Sequence, residues 1–377
     1  MTETLDPPQV SPRLERLLGY LERDPCNDSL LADAAVVAFD EREFECAADL
    51  LSRMEERGAL PPPMLNLSGL VALAQQRFDD AATIFAKLTA LGHEQPEVRF
   101  NLAWALAMTD RFEQANALLD DAAIAASPRG PALKIHMLHH LGDFETALRV
   151  GEELTEMYPD NQPLMGALAT LAMDADETEL ARLYSERAGD SPEGLAARGM
   201  FALDAQDMEK ALPLFDRAIE QQPLNPRAWM GRGLSLMMSE NRAGAVDAID
   251  RAAELFETHI GSWIASGWAH FLNDDQVKAR ASFERALAID PNFSETHGGL
   301  AVLDIASGDM ESAKRNSEIA LKLDRASLGG TLAQTLLLER SGDHEKAARI
   351  REIALATPIG PDGRTIVQAL MGMGFKG

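Results

Sequence analysis

Apolar residues recur along this chain in runs of about a dozen positions that follow the 3.6-residue helical period, and short polar or proline-bearing stretches separate the runs. Taken in pairs, the runs predict helix–turn–helix units. The clearest unit begins at Pro226 and reads PRAWMGRGLSLMMSENRAGAVDAIDRAAELFETH, 34 residues, and the next 34, from Ile260, read IGSWIASGWAHFLNDDQVKARASFERALAIDPNF. Superposed, Trp229 meets Trp263, Gly233 meets Gly267, Ala245 meets Ala279 and Ala252 meets Ala286. Steps of 34 in both directions give starts at Pro192, Ser294 and Leu328, so five units keep one register. No single hairpin can bury its apolar face alone, and the pattern therefore predicts a stack.

Within each unit a large residue stands at position 4, a small one at 8, alanine at 20, a bulky residue at 24, alanine at 27 and proline near 32. Ala211, Phe215, Ala218 and Pro223 fit this series, as do Ala279, Phe283, Ala286 and Pro291. The turn between the two helices recurs too, as Gly142-Asp143, Gly308-Asp309 and Gly342-Asp343. This pattern resembles the tetratricopeptide repeat family. The resemblance implies an all-α fold, a right-handed α-solenoid of about ten stacked helix-turn-helix repeats, covering roughly residues 11 to 357. In the N-terminal half the units begin near Asp28, Pro62, Pro96, Pro128 and Gln162, with position-20 alanines at Ala47, Ala81, Ala115, Ala147 and Ala181. Two spacings there are short, 32 residues from Pro96 to Pro128 and 30 from Gln162 to Pro192. The expected organisation is an N-terminal tail and capping helix over 1–27 and an irregular array over 28–191. A regular array over 192–357 and a capping helix with tail over 358–377, carrying Ile366, Val367, Leu370 and Met371, complete it.

Composition narrows the partners. Sixty acidic residues against 35 basic ones give a net charge of −25, spread along the whole chain. Such a surface repels nucleic-acid phosphates and anionic lipid heads, so no nucleic acid is expected. No run of 18 apolar residues exists for membrane insertion. The acidic, proline-bearing start is unlike a secretory signal and the two cysteines, Cys26 and Cys46, have no CxxC spacing, which together predict a cytoplasmic protein with reduced thiols.

Residues that carry chemistry are scarce. The glycines Gly372, Gly374 and Gly377 match GxGxxG without a strand before them or a helix after them, which removes the phosphate-cradle reading. Acidic pairs such as Asp79-Asp80 and Glu152-Glu153 read as solvated helix faces. No catalytic residue, cofactor or enzyme activity is expected. His136, His139 and His140 share one helical face at i, i+3 and i+4, a geometry that can grip a metal. Without a carboxylate or cysteine on that face, a polar lining for a partner is the preferred reading and no metal is assigned.

The resemblance further implies that positions 5, 9, 12 and 13 of the first helices face the inside of the superhelix. Position 5 then offers Phe100, Met230 and Ile264, and position 9 offers Trp104, His136, Met200, Leu234 and Trp268. Met237 and Phe271 occupy position 12 and Met108 position 13. Across the ten units none of the 20 residues at positions 5 and 9 is charged, where a 25% average predicts five. An uncharged groove rich in methionine and tryptophan suits a protein or peptide partner with apolar anchors. Co-chaperones of the same family that hold acidic chaperone tails carry lysine and asparagine at these positions, and this chain has no such lysine. The expected function is a scaffold or adaptor, the alternatives being a secretion- or assembly-type chaperone and a peptide or small-ligand sensor. The apolar C-terminal tail, with Leu370, Met371, Met373 and Phe375, also offers a route to self-association.

Overall fold

The computed structural model describes residues 11–239 and 241–356, and the C-terminal helix and tail expected beyond 357 lie outside them. Among the described residues every regular element is helical. The chain divides into two compact units, Met1–Thr178 and Glu179–Gly377. The first holds α1 (Pro12–Leu21), α2 (Asp28–Asp40), α3 (Phe44–Glu55), α4 (Pro62–Ala74), α5 (Phe78–Ala90) and α6 (Pro96–Ala107). It continues with α7 (Phe112–Leu118), α8 (Asp121–Ala125), α9 (Gly130–His140), α10 (Phe144–Met157) and α11 (Gln162–Asp174). The second opens with α12 (Thr178–Arg187), α13 (Pro192–Asp204), α14 (Met208–Gln221), α15 (Pro226–Met238), α16 (Arg242–Phe256) and α17 (Ile260–Leu272). It ends with α18 (Gln276–Ile289), α19 (Ser294–Ser307), α20 (Met310–Leu323), α21 (Leu328–Ser341) and α22 (His344–Ala356).

Where its residues are described, the turn inside the hairpin has a fixed backbone form. The residue two positions before the second helix is left-handed: Arg42, Gln76, Asp110, Asp176, Gln206 and Asp274 have φ between 57° and 64°, and Gly142, Gly308 and Gly342 between 75° and 88°. This αL residue ends the first helix by turning its last carbonyls toward local donors. The next residue starts the second helix. Asp143, Asn241, Asp275 and Asp309 accept from the backbone N–H three residues on, at 3.0–3.2 Å. Such a side-chain cap satisfies one of the orphan donors of the first turn. At α3, α5 and α7 the same place holds Glu43, Arg77 and Arg111, and no side-chain cap bond forms.

Small and large residues interlock as the repeat positions require. The position-20 alanines, from Ala47 to Ala347, are 0–1% exposed, which lets paired helices approach closely. Phe283, at position 24 and 0% exposed, lies between Gly267 of its own repeat and Gly299 of the next. A Cβ on either glycine would stand 2.7 or 2.4 Å from the ring. Phe215 sits the same way between Gly199 and Gly231, so in these two repeats an aromatic knob locks the repeat to its successor.

The two short spacings have structural causes. In the 32-residue repeat the second helix is broken: α7 stops at Leu118, Leu119 leaves the helical region with ψ 72°, and Asp120 caps the short α8. The following helix then begins at Gly130, whose missing side chain lets the Ile124 carbonyl approach; a Cβ there would lie 2.0 Å from that oxygen. In the 30-residue repeat the second helix, α12, has only ten residues.

Candidate functional site

In the second unit α17, α19 and α21 are the first helices of three successive repeats, and each packs on the next. On them lies an open pocket of about 430 Å³ lined by Phe271, Val302, Ile305, Ala306, Leu336, Glu339 and Arg340. These residues stand at repeat positions 12, 9, 12, 13, 9, 12 and 13. Val302 and Ile305 are 3% and 4% exposed and form an apolar floor, with Ala306 exposed at its edge. Glu339 accepts from Arg351 Nη1 at 3.1 Å, and Arg340 is exposed.

A polar pin supports the floor from behind. The Asp304 carboxylate, 3% exposed, accepts from Arg280 Nη2 at 2.6 Å and from Asn316 Nδ2 at 2.8 Å, tying α18, α19 and α20 together. One repeat earlier His270 Nε2 meets the Asp250 carboxylate at 2.9 and 3.1 Å, and Ser266 Oγ donates to the same group at 2.6 Å. His270 and Asp304 both occupy position 11. A buried charge is tolerated only with such partners, and here the partners fix how first helices seat on second helices.

The residues proposed from sequence fall into distinct settings. Trp268 and Phe271 are half-buried and meet edge to face at 5.8 Å, and Trp268 meets Phe283 likewise at 5.5 Å. Ile264 packs half-buried in the same cluster. Met230 and Met237 pack against Val246, Ile249 and Ala269, and Met200 and Leu234 against the cluster around Phe215. In the first unit Met108 is exposed, Trp104 is half-buried with the Arg129 guanidinium 5.5 Å from its ring centre, and Phe100 is buried at 8% exposure. The histidine rings turn to different neighbours. His139 Nε2 lies 2.8 Å from Asp174 Oδ2 on α11, and His140 stacks on Phe112 of α7 at 4.4 Å. Among the described residues no three His, Cys, Asp or Glu side chains are grouped to hold a metal ion. His136 is half-buried on α9.

Sequence reading stopped short of Ile305, Ala306, Glu339 and Arg340, although positions 12 and 13 carried to the last two repeats lead to them. It also missed a pocket of about 520 Å³ in the first unit, where Pro62, Asn66 and Leu70 of α4 face Val98 and Asn101 of α6, with His93 and Gln95 beside them. His93 and Gln95 lie between helices, outside any helical face that periodicity reports.

Comparison with known proteins agrees with this geometry. The tetratricopeptide repeat family matches over residues 66–131 and 197–260. These two stretches are tetratricopeptide repeats. No curated protein sequence matches it significantly. Among solved structures, human IFIT1 as a dimer with PPP-AAAA aligns with a TM-score of 0.53 at 16% identity, over 90% of this chain and 93% of IFIT1. The IFIT1 monomeric mutant with Gppp-AAAA gives the same values. MamA from Desulfovibrio magneticus RS-1 aligns over 44% of this chain and 96% of its own, at 17% identity and a TM-score of 0.37. The likeness to IFIT1 is one of fold: helical repeats stacked into a solenoid. Tetratricopeptide arrays of this kind are generally protein-interaction scaffolds. Among the described residues of this one, no helix is long and apolar enough to cross a membrane.

Proposed function

We propose that this tetratricopeptide array is a non-catalytic, cytoplasmic scaffold or adaptor that holds an apolar-anchored segment of a partner protein on the first-helix face of its second unit. The observation that carries the reading is the pocket itself, because positions 9, 12 and 13 of three successive repeats converge on one apolar floor. A site repeated in register suits a linear segment whose side chains recur at a similar pitch. The IFIT1 structures hold Gppp-AAAA and PPP-AAAA, but the same role is not proposed here. A chain of net charge −25 repels phosphate, and among the described residues Arg340 is the single cation lining the pocket.

Ala306→Trp tests the reading. Ala306 is exposed at the rim, so a large side chain there fills the pocket without entering the core. Immobilised wild-type chain should retain a protein from native extract that the variant loses, with the melting curve unchanged. Equal retention by both would remove the pocket from the function.

A further inference from the structure

The charge at the mouth of the pocket goes beyond shape. The reading that follows rests on the partner-binding role proposed above. Chain-wide, acidic residues outnumber basic ones 60 to 35. The last described repeat departs from that balance. Over residues 328–356, Arg340, Lys346, Arg349 and Arg351 stand against Glu339, Asp343, Glu345 and Glu352, four of each sign. Two of these cations are engaged within the repeat, since Lys346 bridges Asp343 at 2.6 Å and Arg351 bridges Glu339 at 3.1 Å. Among the described residues Glu339 is the only acidic one lining the pocket, and its carboxylate is the one Arg351 holds. Arg340 also lines the pocket, is exposed, and makes no ion pair with any described residue. Among the described residues the uncommitted charge at the mouth is therefore positive, on a chain that is otherwise strongly negative.

We propose that the held segment carries an aspartate or glutamate within one helical turn of its apolar anchor, and that Arg340 selects it. The anchor rests on Val302 and Ile305 between Phe271 and Leu336, and the carboxylate meets the Arg340 guanidinium at the rim. A guanidinium presents a planar fork of donors that matches a carboxylate, so it reads both charge and direction. The acidic remainder of the surface supplies the complement: it disfavours long polyanions and leaves room for one carboxylate in one place. This differs from a clamp built of several lysines and asparagines, which needs only the charge of a chain end. Here the apolar floor gives the hold and a single arginine gives the register.

A displayed library of random 12-residue peptides, selected on the full chain and counter-selected on Ala306→Trp, tests this without knowledge of the partner. Enriched peptides are expected to place Asp or Glu one to four residues from a Leu, Ile, Phe or Met. Synthetic copies should lose about two- to fivefold in affinity on Arg340→Gln. On Arg340→Glu, the same selection should favour Lys or Arg at that place. Pocket-dependent peptides with no acidic bias, or with affinity indifferent to Arg340, would overturn this inference and leave the scaffold reading intact. Failure to enrich any peptide that Ala306→Trp rejects would overturn both.

Discussion

The two units are built from the same hairpin but differ in how firmly each repeat is specified. In the second unit α14, α16, α18 and α20 each begin on an Asp or Asn whose side chain caps the first turn. Its aromatic knobs Phe215 and Phe283 each fill a hole made by two glycines. In the first unit α3, α5 and α7 start without a side-chain cap, and Phe85 meets one glycine, Gly69. There the repeat length also slips, through the break at Leu119. A regular period is thus a consequence of redundancy. Where the cap, the glycine pair and the bulky knob all agree, insertion or deletion of a residue would break several contacts together, and the register holds.

The largest expected effect tests the knob. Phe283→Ala should destabilise the array by about 3–5 kcal/mol, because a fully buried ring leaves a cavity between two repeats. Leu119→Ala, at the equivalent position of the broken repeat, should cost about 2 kcal/mol, since the helix there is already interrupted. Native-state hydrogen exchange, followed helix by helix, distinguishes them: the Phe283 variant should lose protection in α17, α18 and α19 together. Equal losses confined to single helices in both variants would break the comparison.

Most of the fold was legible because it is written in small residues. Ala211, Ala245 and Ala279 could be placed by counting, and their burial follows from the same count. The breaks were legible only as lengths. Nothing in FEQANALLDDAAIA announces a helix that stops at Leu118, because Leu119 and Asp120 are ordinary helix residues until tertiary packing decides otherwise. The candidate site was legible in part. Position 12 led to Phe271 but not to Ile305, Ala306, Glu339 or Arg340 beside it, and the same face includes Phe100, which is largely taken up by packing in its own unit. Repeat position says which way a side chain starts, and the neighbours decide how much of it reaches solvent. Arg340 escaped notice because charge was counted over the chain and not over one rim.

A smaller effect, opposite in sign between the units, tests the caps. Asp275→Ala should lose about 1 kcal/mol and Arg77→Asn should gain a similar amount, as each second helix loses or acquires an oxygen for its first turn. Arg77 also bridges Asp80 at 2.8 Å, but both side chains are about half exposed, and such a pair is worth less than the cap. Chemical denaturation of each variant gives the sign directly. If Arg77→Asn leaves the midpoint unchanged, missing caps are not what distinguishes the first unit.

The smallest effect is a matter of pH at the broken repeat. Lys134 of α9 is half-buried, and its ammonium donates to Asn116 Oδ1 of α7 at 2.7 Å. Burial pushes its pKa below the ordinary lysine range, against the opposing pull of the Asp121 carboxylate. Unfolded, the same amine titrates near the ordinary value of about 10.4, so between the two values the unfolded chain binds the extra proton. The penalty of holding this charge is fully present below the folded pKa and is relieved as pH rises through it. Stability of the wild type relative to Lys134→Gln should therefore increase as pH is raised toward 10. NMR titration of methylated lysines should show one resonance, absent from the variant, moving at lower pH than the rest. A Lys134 signal that titrates with the others would mean that α7 and α8 do not close over the amine, and that the break in this repeat is open to water.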